Sequence, residues 1–131
     1  MDVLKEMTEN GCEPTVVTYS ALIRGHMAMG MVSEAWDVFQ RMKLKGPVPD
    51  FETYSMFMSC LCKAGRSEDG LQLIHDMLNS GIIPSALNFR TVVHGLNMEG
   101  KYKLADSVLQ SKWQLRNRRT FSDSFIVNSS A

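Results

Sequence analysis

The sequence predicts an all-α fold, a solenoid of stacked two-helix units. The first observation is repetition. Gly11, Gly46 and Gly81 are 35 residues apart, and so are Pro14, Pro49 and Pro84, Met7, Met42 and Met77, and Gly30, Gly65 and Gly100. Tyr19, Tyr54 and Phe89 keep the same step. A period of this size marks a supersecondary unit that buries its apolar face only against the next copy. The second observation is that each period holds two apolar runs at helical spacing. The third is punctuation: a glycine closes each run, and a proline follows the second.

The units divide as a partial repeat over 1–15, repeats over 16–50 and 51–85, a divergent terminal repeat over 86–120, and a Ser-rich tail over 121–131 expected to be disordered. In the first full unit, Tyr19, Leu22, Ile23 and Met27 share one helix face, then Val32, Ala35, Trp36, Phe39 and Met42 another. The second repeats this with Tyr54, Phe57, Met58 and Leu61, then Leu71, Ile74 and Met77. The third does so with Phe89, Val92, Val93 and Leu96, then Tyr102, Ala105 and Leu109. Thr18 and Thr53 suit N-caps of the first helices. Gly30, Gly65 and Gly100 suit left-handed helix ends, and Gly46 and Gly81 are expected to do the same for the second helices. Ala35, Gly70 and Ala105 are small at one shared position, where a large side chain is expected to clash. Met1 falls inside the second helix of a unit, so the chain is expected to be the C-terminal piece of a longer array or the reading of a truncated gene model.

Composition fits an ordinary globular chain, with 44% hydrophobic and 21% charged residues. Formal net charge is zero but uneven: −3 over 1–15, +1 over 16–50, −2 over 51–85 and +4 over 86–131. A zero total argues against strong nonspecific nucleic-acid binding, which counterion release dominates. Cys12, Cys60 and Cys62 are odd in number and lack zinc-pair spacing, so free buried thiols are expected. No apolar run approaches the roughly 20 residues needed to cross a bilayer, and the acidic start resembles neither a signal nor a transit peptide. His26, His75 and His94 stand without ligand spacing, so no metal or other cofactor is expected.

These residues resemble a known family. Val17-Thr18-Tyr19-Ser20-Ala21-Leu22-Ile23-Arg24-Gly25, Leu61-Cys62-Lys63-Ala64-Gly65-Arg66 and Met42…Gly46-Pro47-Val48-Pro49-Asp50 are similar to the pure 35-residue type of pentatricopeptide repeat. Tetratricopeptide repeats are helix pairs too, but run at 34 residues and lack this ending. The resemblance covers residues 1 to about 111. It implies a right-handed superhelix that binds single-stranded RNA at about one base per repeat. It also implies mitochondrial or chloroplast placement, a role in RNA processing or stability, and recruitment of other RNA-processing proteins.

By that resemblance, two polar side chains per repeat read a base: the residue after the first helix's aromatic, and the last residue of the repeat. A branched apolar residue two before the aromatic packs between bases. The first full repeat then offers Ser20 and Asp50, with Val17 packing. This pair resembles the family's guanine readers, since a carboxylate accepts from guanine N–H groups. The second offers Ser55 and Ser85, a pair with no defined preference, and Glu52 in the packing place is a departure. The third offers Arg90, outside the usual small polar set and better suited to a phosphate, with Leu87 packing. Its closing residue is Thr120, and Thr15 closes the partial unit. Arg116, Arg118 and Arg119, with Lys112, make a basic cluster for phosphate contact or simply a solvated helix end. Trp113 beside them suits stacking or a core cover.

No nucleophile elbow, phosphate loop or zinc-deaminase signature occurs, so binding rather than catalysis is expected. The preferred reading is sequence-selective RNA binding, weak for so few repeats. The alternative is a protein-interaction scaffold or a degenerate array without RNA, which the neutral charge, Glu52 and Arg90 favour. A positive concave stripe would separate the two, because nucleic-acid grooves need it.

Overall fold

The computed structural model describes residues 2–110. Among them every regular element is α-helix: α1 (Val3–Glu9), α2 (Val16–Ala28), α3 (Val32–Lys45), α4 (Phe51–Lys63), α5 (Ser67–Asn79), α6 (Ala86–Met98) and α7, helical over 102–110. Helices α2, α4 and α6 start at Val16, Phe51 and Ala86, so the 35-residue step of the sequence is also the step of the structure. Each of α2 and α4 packs on its own partner, α3 or α5. In addition, α4 packs on α2 and α6, and α5 on α6, which strings the first helices into one layer.

The core runs through every joint. Ile23, Phe39, Met42, Phe57, Met58, Leu61, Leu73, Met77, Val92 and Leu96 are fully buried. The joint between the first two full units is aromatic: the Phe39 ring centroid lies 5.3 Å from both Tyr54 and Phe57, and Trp36 lies 4.8 Å from Phe57. Such pairs add about 0.5–1.5 kcal/mol each beyond their buried area. The small shared position is also core. Ala35, Gly70 and Ala105 are buried, and a methyl group at Gly70 would sit 3.0 Å from Cys62 Sγ.

Several expectations change. The first helices are capped by Thr15, Asp50 and Ser85, each accepting from the N–H three residues on, so Thr18 and Thr53 lie inside their helices. The prolines Pro14, Pro49 and Pro84 keep the preceding chain extended and place the next residue as the cap. Val38, Leu73 and Val108 fill the second-helix core, whereas Tyr102 and Leu109 are exposed. Tyr102 takes the place of Ser67, which is covered by α6; no described helix covers Tyr102. Cys12 is exposed, and Cys60 and Cys62 are half-buried; all three are free thiols.

Gly30, Gly65 and Gly100 close the first helices with φ of +74°, +77° and +77°. Gly81 does the same for α5, but Gly46 does not: its φ is −100° and ψ −168°, plain extended backbone. Pro47 explains the difference. In the left-handed closure the residue after glycine donates back to the last turn, as Ile82 N–H does to Met77 O at 2.8 Å. Pro47 has no N–H to give, and it drives the residue before it to extended backbone.

Side chains also tie the units. Ser67 N–H and Oγ–H both donate to Glu99 Oε2, so a carboxylate from the end of α6 serves the uncapped start of α5. Burial works to raise the Glu99 carboxyl, yet the Ser67 bonds and Lys101 hold it below its ordinary value. Tyr54 O–H donates to Asp76 Oδ2 at 2.8 Å, which Lys43 Nζ also reaches at 2.8 Å. Burial, with the Asp76 carboxylate as a lesser cause, pushes the Tyr54 phenol up to about 12.

Candidate functional site

Stacking puts the sequence-predicted readers on the layer of first helices. Ser20, Ser55 and Arg90 are the fifth residues of α2, α4 and α6. Asp50 and Ser85 cap the next helix in line, so the last residue of one repeat is also the first anchor of its successor. The two readers of a repeat therefore lie on neighbouring helices, and the structure joins them through a third residue.

In the first full repeat that residue is Thr53. Ser20 Oγ lies 3.2 Å from Thr53 Oγ1. Thr53 Oγ1–H donates to Asp50 Oδ1 at 2.7 Å, and Thr53 N–H donates to the same oxygen at 2.8 Å. The Thr53 hydroxyl and N–H hold the Asp50 carboxyl below its ordinary value, against a smaller effect of burial. Both bonds use Oδ1.

In the second repeat the joining residue is Asn88. Its Nδ2 donates to Ser55 Oγ at 3.0 Å. Its Oδ1 accepts from Ser85 N–H at 2.8 Å, and its own N–H donates to Ser85 Oγ at 3.1 Å. Thr53 and Asn88 are buried, at 2% and 5% exposure, so their hydrogen bonds are made where water does not compete. The third repeat has no such triad within the described residues, because its closing residue Thr120 lies outside them, as do Lys112, Trp113, Arg116, Arg118, Arg119 and the tail 121–131.

The packing positions are open. Val17 is 76% exposed and Leu87 64% exposed. Glu52 stands exposed between them in the same register. Burial on a base would remove that apolar surface from water, worth about 1–2 kcal/mol for each side chain.

Charge differs from helix to helix, and α3 of the second layer carries Arg41, Lys43 and Lys45 against Glu34 and Asp37. The first helices α2, α4 and α6 carry Arg24, Lys63 and Arg90 against one acid, Glu52. By contrast α5 carries Glu68, Asp69 and Asp76 and no Lys or Arg. Arg24, Lys63 and Arg90 are exposed and form no ion pair among the described residues, as holds also for Lys5, Lys45 and Lys103 on other helices, while Arg41, Lys43, Arg66 and Lys101 all do. Arg24 lies one turn beyond Ser20, and Lys63 two turns beyond Ser55, so these cations extend the line of readers. Arg90 and Lys63 border a groove of about 730 Å³ between α4 and α6, with Ser59, His94 and Met98.

Sequence reasoning missed Thr53, Asn88, Arg24 and Lys63. The first two carried a signal: a polar residue three places after a cap residue is the capping-box spacing. Among the described residues no group of His, Cys, Asp and Glu is arranged to hold a metal, and no helix is long and apolar enough to cross a membrane.

Comparison with known proteins agrees with the geometry. The model of the PPR repeat family matches residues 14–63, and that of the PPR repeat matches residues 52–82. A pentatricopeptide repeat-containing protein of Arabidopsis thaliana is 32% identical over 101 residues, 76% of this chain and 20% of its own length. A chloroplastic relative from the same plant is 28% identical over 106 residues, 81% of this chain and 18% of its own length. The chain thus spans about a fifth of the length of the curated relatives it matches. The crystal structure of the pentatricopeptide repeat protein PPR10 from maize superposes with a TM-score of 0.71 at 26% identity, over 82% of this chain and 16% of PPR10. PPR10 in complex with an 18-nt psaJ RNA element superposes at 0.66 with 22% identity, over 86% of this chain and 16% of that one. The fold is an α-solenoid.

Proposed function

Since the chain belongs to the pentatricopeptide-repeat family, we propose that it binds single-stranded RNA with base selectivity, along the layer formed by α2, α4 and α6. One observation carries this reading: the half-buried serines Ser20 and Ser55, the exposed Asp50, the exposed packing side chains Val17 and Leu87 and the cations Arg24, Lys63 and Arg90 fall on one layer of helices, while α5 of the other layer is acidic. Cations without partners attract phosphates, and they do so more strongly where no acid screens them. Ser20 and Asp50 read one base, with Val17 packing beside it. Asp50 Oδ2 accepts from guanine N–H groups, and the depressed carboxyl keeps it ionised at neutral pH. Ser55 and Ser85 read the next. Leu87 packs in the third unit, where Arg90 contacts a phosphate, and Arg116, Arg118 and Arg119 are further candidate phosphate contacts. The division into repeats 16–50, 51–85 and 86–120 belongs to this reading.

The action is occupancy of RNA or recruitment of processing proteins, not chemistry on a substrate. Relatives named chloroplastic and mitochondrial support an organellar site. Exposed Glu52 favours the competing scaffold reading, because an acid in the packing place repels phosphate. Fluorescence anisotropy at low salt with short RNAs differing at one base tests the choice. Asp50→Asn, which keeps the cap oxygen but adds a donor, should move preference from guanine toward adenine. Folded wild-type protein that binds every RNA equally or none supports the scaffold.

A further inference from the structure

The two joining residues differ in a way that fixes which reader donates and which accepts. In the first full repeat, Asp50 is a carboxylate and can only accept. Thr53 Oγ1 therefore spends its one hydrogen on Asp50 Oδ1. It has none left for Ser20, so the 3.2 Å bond between the two hydroxyls runs from Ser20 to Thr53. Ser20 is left with lone pairs only. Beside Asp50 Oδ2, the first pair is two acceptors.

The second repeat has the opposite polarity. A backbone N–H can only donate, so the Asn88 atom facing Ser85 N is its oxygen, and the amide nitrogen faces Ser55. Ser55 Oγ accepts from that nitrogen and keeps its own hydrogen. Ser85 Oγ accepts from Asn88 N–H and likewise keeps its hydrogen. The second pair can donate twice.

Resting on the RNA-binding reading above, we propose that Thr53 and Asn88 are positioning residues that set the hydrogen-bonding polarity of the readers, and that Asn88 makes the second repeat select cytosine. Guanine is the base whose Watson–Crick edge offers two adjacent donors, at N1 and N2. Cytosine is the base that offers two adjacent acceptors, at N3 and O2. The first reader is serine in both repeats, so the difference in its polarity comes from the residue behind it, and Asp50 against Ser85 adds to it. Burial of Thr53 and Asn88 keeps each donor committed, because water cannot substitute for the partner.

The test uses the full chain and oligouridines carrying a single guanine or a single cytosine, compared with plain oligouridine at low salt. With wild type each substitution should strengthen binding. Asn88→Asp is isosteric: one oxygen still accepts from Ser85 N–H, but the other now takes the Ser55 hydrogen. It should abolish the cytosine gain, about tenfold, the value of one directed hydrogen bond, and leave the guanine gain in place. Thr53→Val frees the Ser20 hydrogen and should reduce the guanine gain by a similar factor while sparing cytosine; Thr53→Ser should restore it. Circular dichroism and urea midpoints check that each variant is folded. Asn88 lies at the start of α6, where an acid is favourable, so its variant should hold. A uniform weakening on all RNAs by both variants would reduce these residues to structural roles and overturn the proposal. Wild type that prefers guanine but not cytosine overturns the assignment to the second repeat alone. Wild type that binds no RNA removes the RNA reading itself, an outcome distinct from either.

Discussion

The two full repeats close their second helices at the same glycine position by different physics. At Gly81 the chain turns left-handed, with φ of +80°, and an added methyl group would meet nothing within 4 Å. At Gly46 the backbone is ordinary, but the same methyl group would lie 2.7 Å from the Tyr19 ring. One glycine is needed for its backbone and the other for the space it leaves. Yet both closures deliver their cap in nearly one conformation, φ −96° and ψ 177° at Asp50 against φ −84° and ψ 166° at Ser85. The array tolerates variation in how a repeat ends because Pro49 and Pro84 reset the path before the cap.

The largest expected effect breaks this comparison directly. Gly46→Ala must displace the buried Tyr19 ring, an overpacking cost of about 2 kcal/mol. Gly81→Ala costs about 1–2 kcal/mol for the left-handed backbone alone. Asparagine separates the mechanisms, since it tolerates the left-handed region but is larger than alanine. Gly81→Asn should cost less than Gly81→Ala, and Gly46→Asn no less than Gly46→Ala, by urea unfolding midpoints. Equal behaviour at the two positions would mean a shared cause.

That difference was written in the sequence but masked by the shared pattern of Gly with Pro three places on. What distinguishes them is Pro47 against Ile82, a single donor present or absent. The helix order and most of the buried face were legible, because period and apolar spacing are local signals. The capping residue was not: Asp50 and Thr53 are both good caps three places apart, and the choice depends on Thr53 meeting Ser20 across 33 residues. Tyr102 misled for the same kind of reason. Its letter is apolar, but burial depends on a neighbour that local pattern does not reveal. The candidate readers stood out only through the family resemblance, and their joining residues carried only the capping-box spacing.

A smaller effect sharpens the contrast between the caps. The carboxyl of Asp50 lies below its ordinary value when folded, so its contribution is fully present above the unfolded value of about 3.9 and fades as pH falls through the folded one. The Ser85 cap does not titrate in this range. Asp2 and Glu99 are depressed too, so wild type should lose stability below about pH 4 for several reasons. Asp50→Asn should lose less over the same range, by under about 1 kcal/mol because Asp50 is exposed and screened. Parallel acid profiles for the two proteins would contradict the Thr53–Asp50 bonds.

The smallest expected change in stability comes from Pro47→Ile, which makes the first closure resemble the second. The new N–H can donate to the last turn of α3, a net gain of about 1 kcal/mol. Loss of proline frees the unfolded chain, a cost of about 0.4–1 kcal/mol. The two nearly cancel, so the urea midpoint should hardly move. The local structure should change nonetheless: the amide at position 47 becomes protected from hydrogen exchange, and Gly46 moves to positive φ. Because Pro49 still sets the path into the cap, the Thr53 amide should keep its protection and the Asp50 acid dependence should persist. Protection at position 47 with loss of protection at Thr53 would show that the extended closure at Gly46 is what places Asp50, and that the two repeat endings are not interchangeable.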